Sequence, residues 1–192
     1  DDAYCSHIKK LEAENFYRWN LSLYRSDAGL HESTPWYATN YDDNNWQTVN
    51  MFSQSWGNNG LNPIGGSHWL RQDIEIPQSW NGKEATLRLG CIVDADSVYV
   101  NGVFVGTTSY QYPPRIYRIP AGILKSGKNN ITVRIISNGG QPGFVQEKPY
   151  KIICDNEEIN LKQKWKYRLG APMPPAPEMM FSGTNRYAYT MP

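Results

Sequence analysis

The stretch Val98-Tyr99-Val100-Asn101-Gly102-Val103-Phe104-Val105 constrains this chain most, because two apolar runs flank a dipeptide that takes positive φ at both central positions at little cost. It predicts a two-residue type I′ hairpin, and a hairpin commits its neighbours to antiparallel pairing. A second run, Trp69-Leu70-Arg71-Gln72-Asp73-Ile74-Glu75-Ile76, alternates with period two. Leu70, Ile74 and Ile76 should share a buried face, and the charged residues a solvent face. Further short strands are expected at Ala85–Leu89, Ser97–Val100, Val103–Val105, Arg115–Ile119, Asn130–Ile136 and Tyr150–Cys154, with Gly, Pro or Asn between them. Short strands at a spacing of about ten residues suggest an antiparallel sandwich or barrel. The 7 Trp, 13 Tyr, 16 Gly and 13 Pro point the same way, since strands and turns favour these residues.

Two segments depart from this rhythm. From Ser6 to about Arg25 the residues Ile8, Leu11, Phe16, Trp19 and Leu23 recur at helical steps with no Gly or Pro between them, which predicts one amphipathic helix. Near the other end, 171–177 carries four prolines, cannot supply a regular run of backbone donors and should be extended. The organisation expected is a helical segment over 1–34, a β-sandwich over 35–162, and a Pro-rich connector over 163–192 leading elsewhere. A loop rich in Asn, Gly and Pro from Asn40 to Gly66, punctuated by Trp46, Trp56 and Leu61, is long enough to suggest a function or a wrap-around packing role.

Composition excludes several partners. Nineteen Lys+Arg against eighteen Asp+Glu give a net charge of +1, so no long-range field recruits a polyanion or an anionic membrane, and nucleic acid is not an expected partner. No apolar run approaches the roughly 20 residues of a membrane helix. Cys5, Cys91 and Cys154 form an odd, sparse set with neither a disulfide framework nor a metal-ligand spacing, so no metal is expected. The chain opens on Asp1-Asp2-Ala3 with no basic and apolar leader, so a secretion signal would have been removed or lie outside it.

Several motifs together carry a family resemblance: Asp42-Asp43-x-x-Trp46, Trp69-Leu70-Arg71, Ile76-Pro77-x-x-Trp80-x-Gly82-Lys83, Leu87-x-Leu89-Gly90, Asp94-x-Asp96-x-Val98-Tyr99-Val100-Asn101-Gly102, Arg115-x-Tyr117-x-Ile119-Pro120-Ala121-Gly122 and Leu124-Lys125-x-Gly127-x-Asn129. From about Tyr41 to Gly170 the chain resembles the jelly-roll domain inserted in bacterial sialate O-acetylesterases, which are SGNH-type carbohydrate esterases. Lys148-Pro149-Tyr150 and the run Trp165–Gly170 are similar to the part that returns toward the hydrolase domain. Trp-x-Gly-Lys followed by Val-Tyr-Val-Asn-Gly is similar also to sugar-binding domains of β-galactosidase-like glycosidases. The resemblance implies an all-β, galactose-binding-like jelly-roll sandwich, a secreted or periplasmic parent, an SGNH hydrolase domain of the same parent chain as partner, and a reaction without cofactor. The alternative it leaves open is a carbohydrate-binding module or the sugar-binding domain of a glycosidase.

The residues that such an esterase needs are incomplete here. Its catalysis rests on a Ser nucleophile in a Gly-Gln-Ser turn and on an Asp-x-x-His block. The three histidines, His7, His31 and His68, follow Tyr4, Ala28 and Gly65 at that spacing, so no such block exists. Ser53-Gln54-Ser55-Trp56 echoes the nucleophile turn but lacks its leading Gly. Asp94 and Asp96 could share a face as a carboxylate pair, with turn or salt-bridge roles the simpler account. The expectation is therefore a non-catalytic chain, inactive alone. Sugar recognition uses aromatic faces beside planar polar side chains. The candidate residues are Trp56 and His68 in one loop, with Asn58 and Asn59, and Tyr110, Tyr112 and Arg115 in a second, with Gln111. The same residues could instead form a face that docks on the hydrolase domain.

Overall fold

The computed structural model describes residues 1–53, 56–139 and 141–174. It is an antiparallel β-sandwich of jelly-roll type with a helical layer on one side. A six-stranded sheet runs in the order β1 (Gln47–Val49), β12 (Trp165–Pro172), β2 (Gly66–Ile76), β8 (Gly127–Ser137), β5 (Ala95–Val100) and β6 (Val103–Thr108). A four-stranded sheet runs β11 (Glu157–Asn160), β10 (Tyr150–Cys154), β3 (Ala85–Leu89) and β7 (Ile116–Ile119). A two-stranded pair, β4 (Ile92–Val93) with β9 (Gly143–Phe144), closes one end.

The alternation predicted for β2 is present: Leu70, Ile74 and Ile76 point into the space between the sheets, where they meet Leu87, Leu89, Val98, Val100, Ile119, Val133 and Ile152. The hairpin is present as well. Asn101 has φ 48 and Gly102 φ 78, and Val100 pairs with Val103 across them. That conformation is strained for a side chain with a Cβ, and Asn and Gly tolerate it best. The Asn101 side chain then fastens the turn, donating to Ile123 O at 2.9 Å and to Asn129 Oδ1 at 2.7 Å and accepting from the Asn130 N–H.

The other face of β2 corrects the expectation that charged residues there meet solvent. Trp69 and Arg71 are buried on that side, and only Asp73 and Glu75 are exposed. The cover is a third layer made of α1 (Asp2–Ser26), α2 (Ala28–His31) and the segment 35–46. Trp36, Trp46, Trp69 and Tyr99 form one aromatic cluster beneath it, with Tyr37 stacked on Tyr99 at 4.3 Å between ring centroids. Phe16, Trp19 and Leu23 of α1 are buried, whereas Leu11 of the predicted stripe is exposed, because the packed face runs through Ile8 and Glu12 instead.

A second correction concerns 163–172, expected as part of an extended connector. Residues 165–172 are β12, an interior strand between β1 and β2, and it begins at Trp165 packed against Phe144. A bulge between Leu169 and Ala171 lets Gly170 pass beneath Asp27; a Cβ at 170 would lie 2.2 Å from Asp27 Oδ1. Only 171–174 of the Pro-rich run is described, and 175–177 lies outside the described residues.

Asp27 fixes the third layer. It is fully buried between the two helices and accepts from the Gly29 N–H at 3.0 Å, from Trp69 Nε1 at 2.9 Å and from Arg134 Nε at 2.7 Å. Removing one partner of a buried ion pair leaves the other charge without compensation. Asp27→Ala should therefore lower the unfolding free energy by about 3–5 kcal/mol. Asp27→Ala paired with Arg134→Met should recover part of that loss. Urea titrations of the chain and both variants measure it, and equal midpoints for wild type and Asp27→Ala would refute this role.

Candidate functional site

The strand register puts two open depressions at opposite ends of the sandwich. Gly66 of β2 pairs with Ser137, and Ile136 with Ala95, at one end; Asp73 pairs with Asn130 toward the other.

The first depression is a cavity of about 740 Å³ at the Gly66 end, within the range of small-molecule pockets. Its walls include Met51, Trp56, Val93, Gln141, Phe144 and Gln146. The chain is turned to this place by Asn59, whose amide bonds the Asn50 N–H at 2.8 Å and Asn50 O at 3.2 Å. Trp56 stands edge-on to His68 at 4.9 Å and to Tyr167 at 5.6 Å. Its indole is half-buried, with the Nε1 edge close against Gly143. An aromatic wall beside carboxamides can hold a sugar ring and its hydroxyls.

His68 departs from the expectation. It is fully buried behind Trp56, hydrogen-bonded through Nε2 to Ile64 O and through Nδ1 to Tyr167 Oη, both at 2.8 Å. A carbonyl can only accept, so Nε2 carries the proton and Nδ1 accepts from the tyrosine. It positions Trp56 and cannot reach a ligand. Burial pushes its pKa down to about 4, against a partial upward pull from Ile64 O and Asp27.

Arg115 also departs from it. It is 1 % exposed and bonds Asp96 Oδ2 through Nε at 2.6 Å, while its other nitrogens bond Gln111 O, Pro113 O, Ile92 O and Asp94 O. Asp96 also accepts from Tyr117 Oη at 2.5 Å, so this carboxylate joins the two sheets. Burial pushes the Asp96 carboxyl up while Arg115 and Tyr117 oppose it. Arg115, immediately before β7, therefore acts as a clamp that shapes the 109–114 loop. On that loop Tyr110 and Tyr112 are 56 % and 76 % exposed, and neither lines the cavity of Trp56. The sequence candidates thus divide into one cavity wall, two buried supports and two exposed tyrosines.

The second depression, about 420 Å³, includes Tyr41, Asp43, Arg71, Asp73, Asn101, Lys125, Lys128 and Asn130 among its walls. Arg71 is 3 % exposed, bonding Asp43 Oδ2 through Nε at 2.8 Å and Thr132 Oγ1 and Trp36 O through Nη1, with its guanidinium 5.5 Å from the Tyr41 ring. Burial would raise the Asp43 carboxyl, but hydrogen bonds from Lys166 and Arg71 and their charges hold it below the ordinary range. Sequence reasoning missed this cleft because its walls come from four separate segments, and Arg71 alone gave a signal, as a charge on a face expected to be wet.

No described residues reproduce a nucleophile–His–carboxylate set: His68 bonds Tyr167 and Ile64, and His31 bonds Tyr24 O. Of the Ser53-Gln54-Ser55-Trp56 echo, 54 and 55 lie outside the described residues. The residues that carried the family resemblance are mostly framework. Trp80 is buried and donates to Glu157 at 2.7 Å, Gly82 has φ 73, and Asn129 closes the 125–129 turn through Lys125 and Gly127.

No family model matches the sequence, and no curated protein matches it. Solved structures share partial likeness. The β-glucuronidase from Ruminococcus gnavus with uronic isofagomine aligns at 25 % identity and a TM-score of 0.36 over 40 % of this chain and 13 % of its own. A β-glucuronidase of an uncultured Clostridium sp. aligns at 20 % identity and a TM-score of 0.37 over 48 % of this chain and 15 % of its own. The α-L-rhamnosidase of Streptomyces avermitilis complexed with L-rhamnose aligns at 18 % identity and a TM-score of 0.45 over 58 % of this chain and 11 % of its own. The alignments thus span 11–15 % of these glycosidases, and nothing in them points to O-acetylesterases specifically.

The His68 pKa has a measurable consequence. The unfolded chain protonates His68 near 6.5 and the folded chain near 4, so between these values the unfolded state binds more protons and stability falls as pH falls. The expected loss from this group is about 3 kcal/mol across that window. His68→Gln should flatten the slope of unfolding free energy against pH in that window; an unchanged slope would show that His68 does not supply it.

Proposed function

We propose that this chain is a non-catalytic β-sandwich of a carbohydrate-active hydrolase and that the cavity beside Trp56 is where it contacts sugar. The single observation that carries the reading is the pairing of an aromatic wall with carboxamides in a concave site, since sugars offer both an apolar ring face and hydroxyls. Lining the cavity with Met51 and Phe144 excludes water behind the ring, and Gln141 and Gln146 supply both donors and acceptors. Exposed Tyr110 and Tyr112 lie outside the cavity and suit a contact with the hydrolase domain of the parent chain, since tyrosines are enriched at such interfaces.

The parent is, on the sequence motifs, either a secreted or periplasmic sialate O-acetylesterase-like enzyme or a β-galactosidase-like glycosidase. The motifs shared by both families are turns and anchors, so the reading frame around the chain is the discriminator: flanking Gly-Gln-Ser and Asp-x-x-His blocks support the esterase, and a pair of catalytic carboxylates supports the glycosidase.

Calorimetry of the chain with galactose, glucose and short β-linked glycans tests the binding. Saturable binding is expected, weakened by about 1–3 kcal/mol in Trp56→Ala, the scale for loss of a buried aromatic contact. Binding that is absent from all these sugars, or indifferent to Trp56→Ala, would remove the sugar role and leave a purely supporting domain. Nitrophenyl acetate and nitrophenyl glycosides should show no turnover above buffer.

A further inference from the structure

We propose that the cleft around Arg71 is a second binding site, specific for the carboxylate of an acidic sugar such as a hexuronate. Arg71 is locked on three sides by Asp43, Trp36 O and Thr132, and Tyr41 packs against its guanidinium. Its remaining nitrogen, Nη2, makes no hydrogen bond among the described residues and is not among the atoms sealed from solvent, while the residue lines the cleft. A buried guanidinium held in this way presents an oriented donor without further ordering, which suits an oxyanion.

The local charge agrees. Asp43 is compensated twice, by Arg71 and Lys166, and Asp73 by Lys128 at 3.1 Å. Lys125 lines the same cleft, and its side chain forms no ion pair or hydrogen bond among the described residues. Three cations, Arg71, Lys125 and Lys128, therefore line the cleft against two carboxylates, Asp43 and Asp73, and an added carboxylate restores the balance. The remainder of the wall suits a polyol more than a bare ion. Thr39 and Tyr41 stand on one side, and Asn101, Asn129 and Asn130 form a rigid floor through mutual hydrogen bonds and bonds to Lys125 O and the Asp73 carboxylate. This site lies at the opposite end of the sandwich from Trp56 and does not depend on the sugar role assigned there.

Chemical-shift titration of the isotopically labelled chain with glucuronate, galacturonate, glucose and acetate decides it. Glucuronate or galacturonate should shift the Arg71 Nε–H and the Asn101 and Asn130 side-chain amides in a saturable way, and added salt should weaken the effect. Glucose should leave these signals unmoved, and acetate should bind at least tenfold more weakly, because it lacks the ring that meets the polar wall. Because Arg71 also supports the fold, the variant is Lys125→Ala, an exposed position expected to keep stability and weaken hexuronate binding about fivefold, the scale of one charge-assisted contact. The proposal fails if no hexuronate shifts these signals, if acetate binds as tightly, or if Lys125→Ala leaves the affinity unchanged.

Discussion

A carboxylate with no access to water holds the layers of this protein together. Asp27 sits at the junction of two helices, and its three donors come from α2, from β2 and from β8. Burial of that charge is tolerable only because each oxygen is satisfied and a guanidinium lies beside it. The arrangement dictates much of the outer face of the larger sheet: Gly170 must lack a side chain to clear Asp27, Trp69 must turn its N–H toward it, and Arg134 must stay beneath the helix. Such a pair adds little net stability compared with apolar residues of equal volume, but it permits one orientation of the helical layer.

The same device recurs twice, with different consequences. Arg115 and Asp96 sit fully buried between the sheets, where the guanidinium gathers four carbonyls and thereby sculpts the loop that exposes Tyr110 and Tyr112. Arg71 and Asp43 lie beside the third layer and line a cleft. All three arginines are buried, and Arg71 differs from the other two in lining a cleft. The cavity of Trp56 follows a related logic, with His68 buried and neutral behind an indole that is left half-open.

The candidate site was legible only in part. Trp56 stood out as an aromatic in a long loop and does line a cavity, and the Tyr110 and Tyr112 side chains are exposed as a loop position suggests. His68 and Arg115 carried the residue chemistry of a binding site but face inward, since His68 belongs to the inner register of β2 and Arg115 finds its counter-charge on another strand. Gln141 and Phe144, which line the same cavity, sit about ninety residues from Trp56, and no local pattern announces that they meet.

What the sequence determined by itself was local. Asn101-Gly102 closes a hairpin wherever it lies between alternating apolar residues, and the period of two in β2 names Leu70, Ile74 and Ile76 as core, because backbone geometry and side-chain alternation need no distant partner. Which way Trp69 and Arg71 faced was local too; that this face would be covered was not. The covering layer, the insertion of β12 between β1 and β2, and the two cavities all depend on contacts between segments far apart in the chain. Periodicity reports which residues share a face, and only tertiary packing decides whether that face meets water, a helix or a ligand.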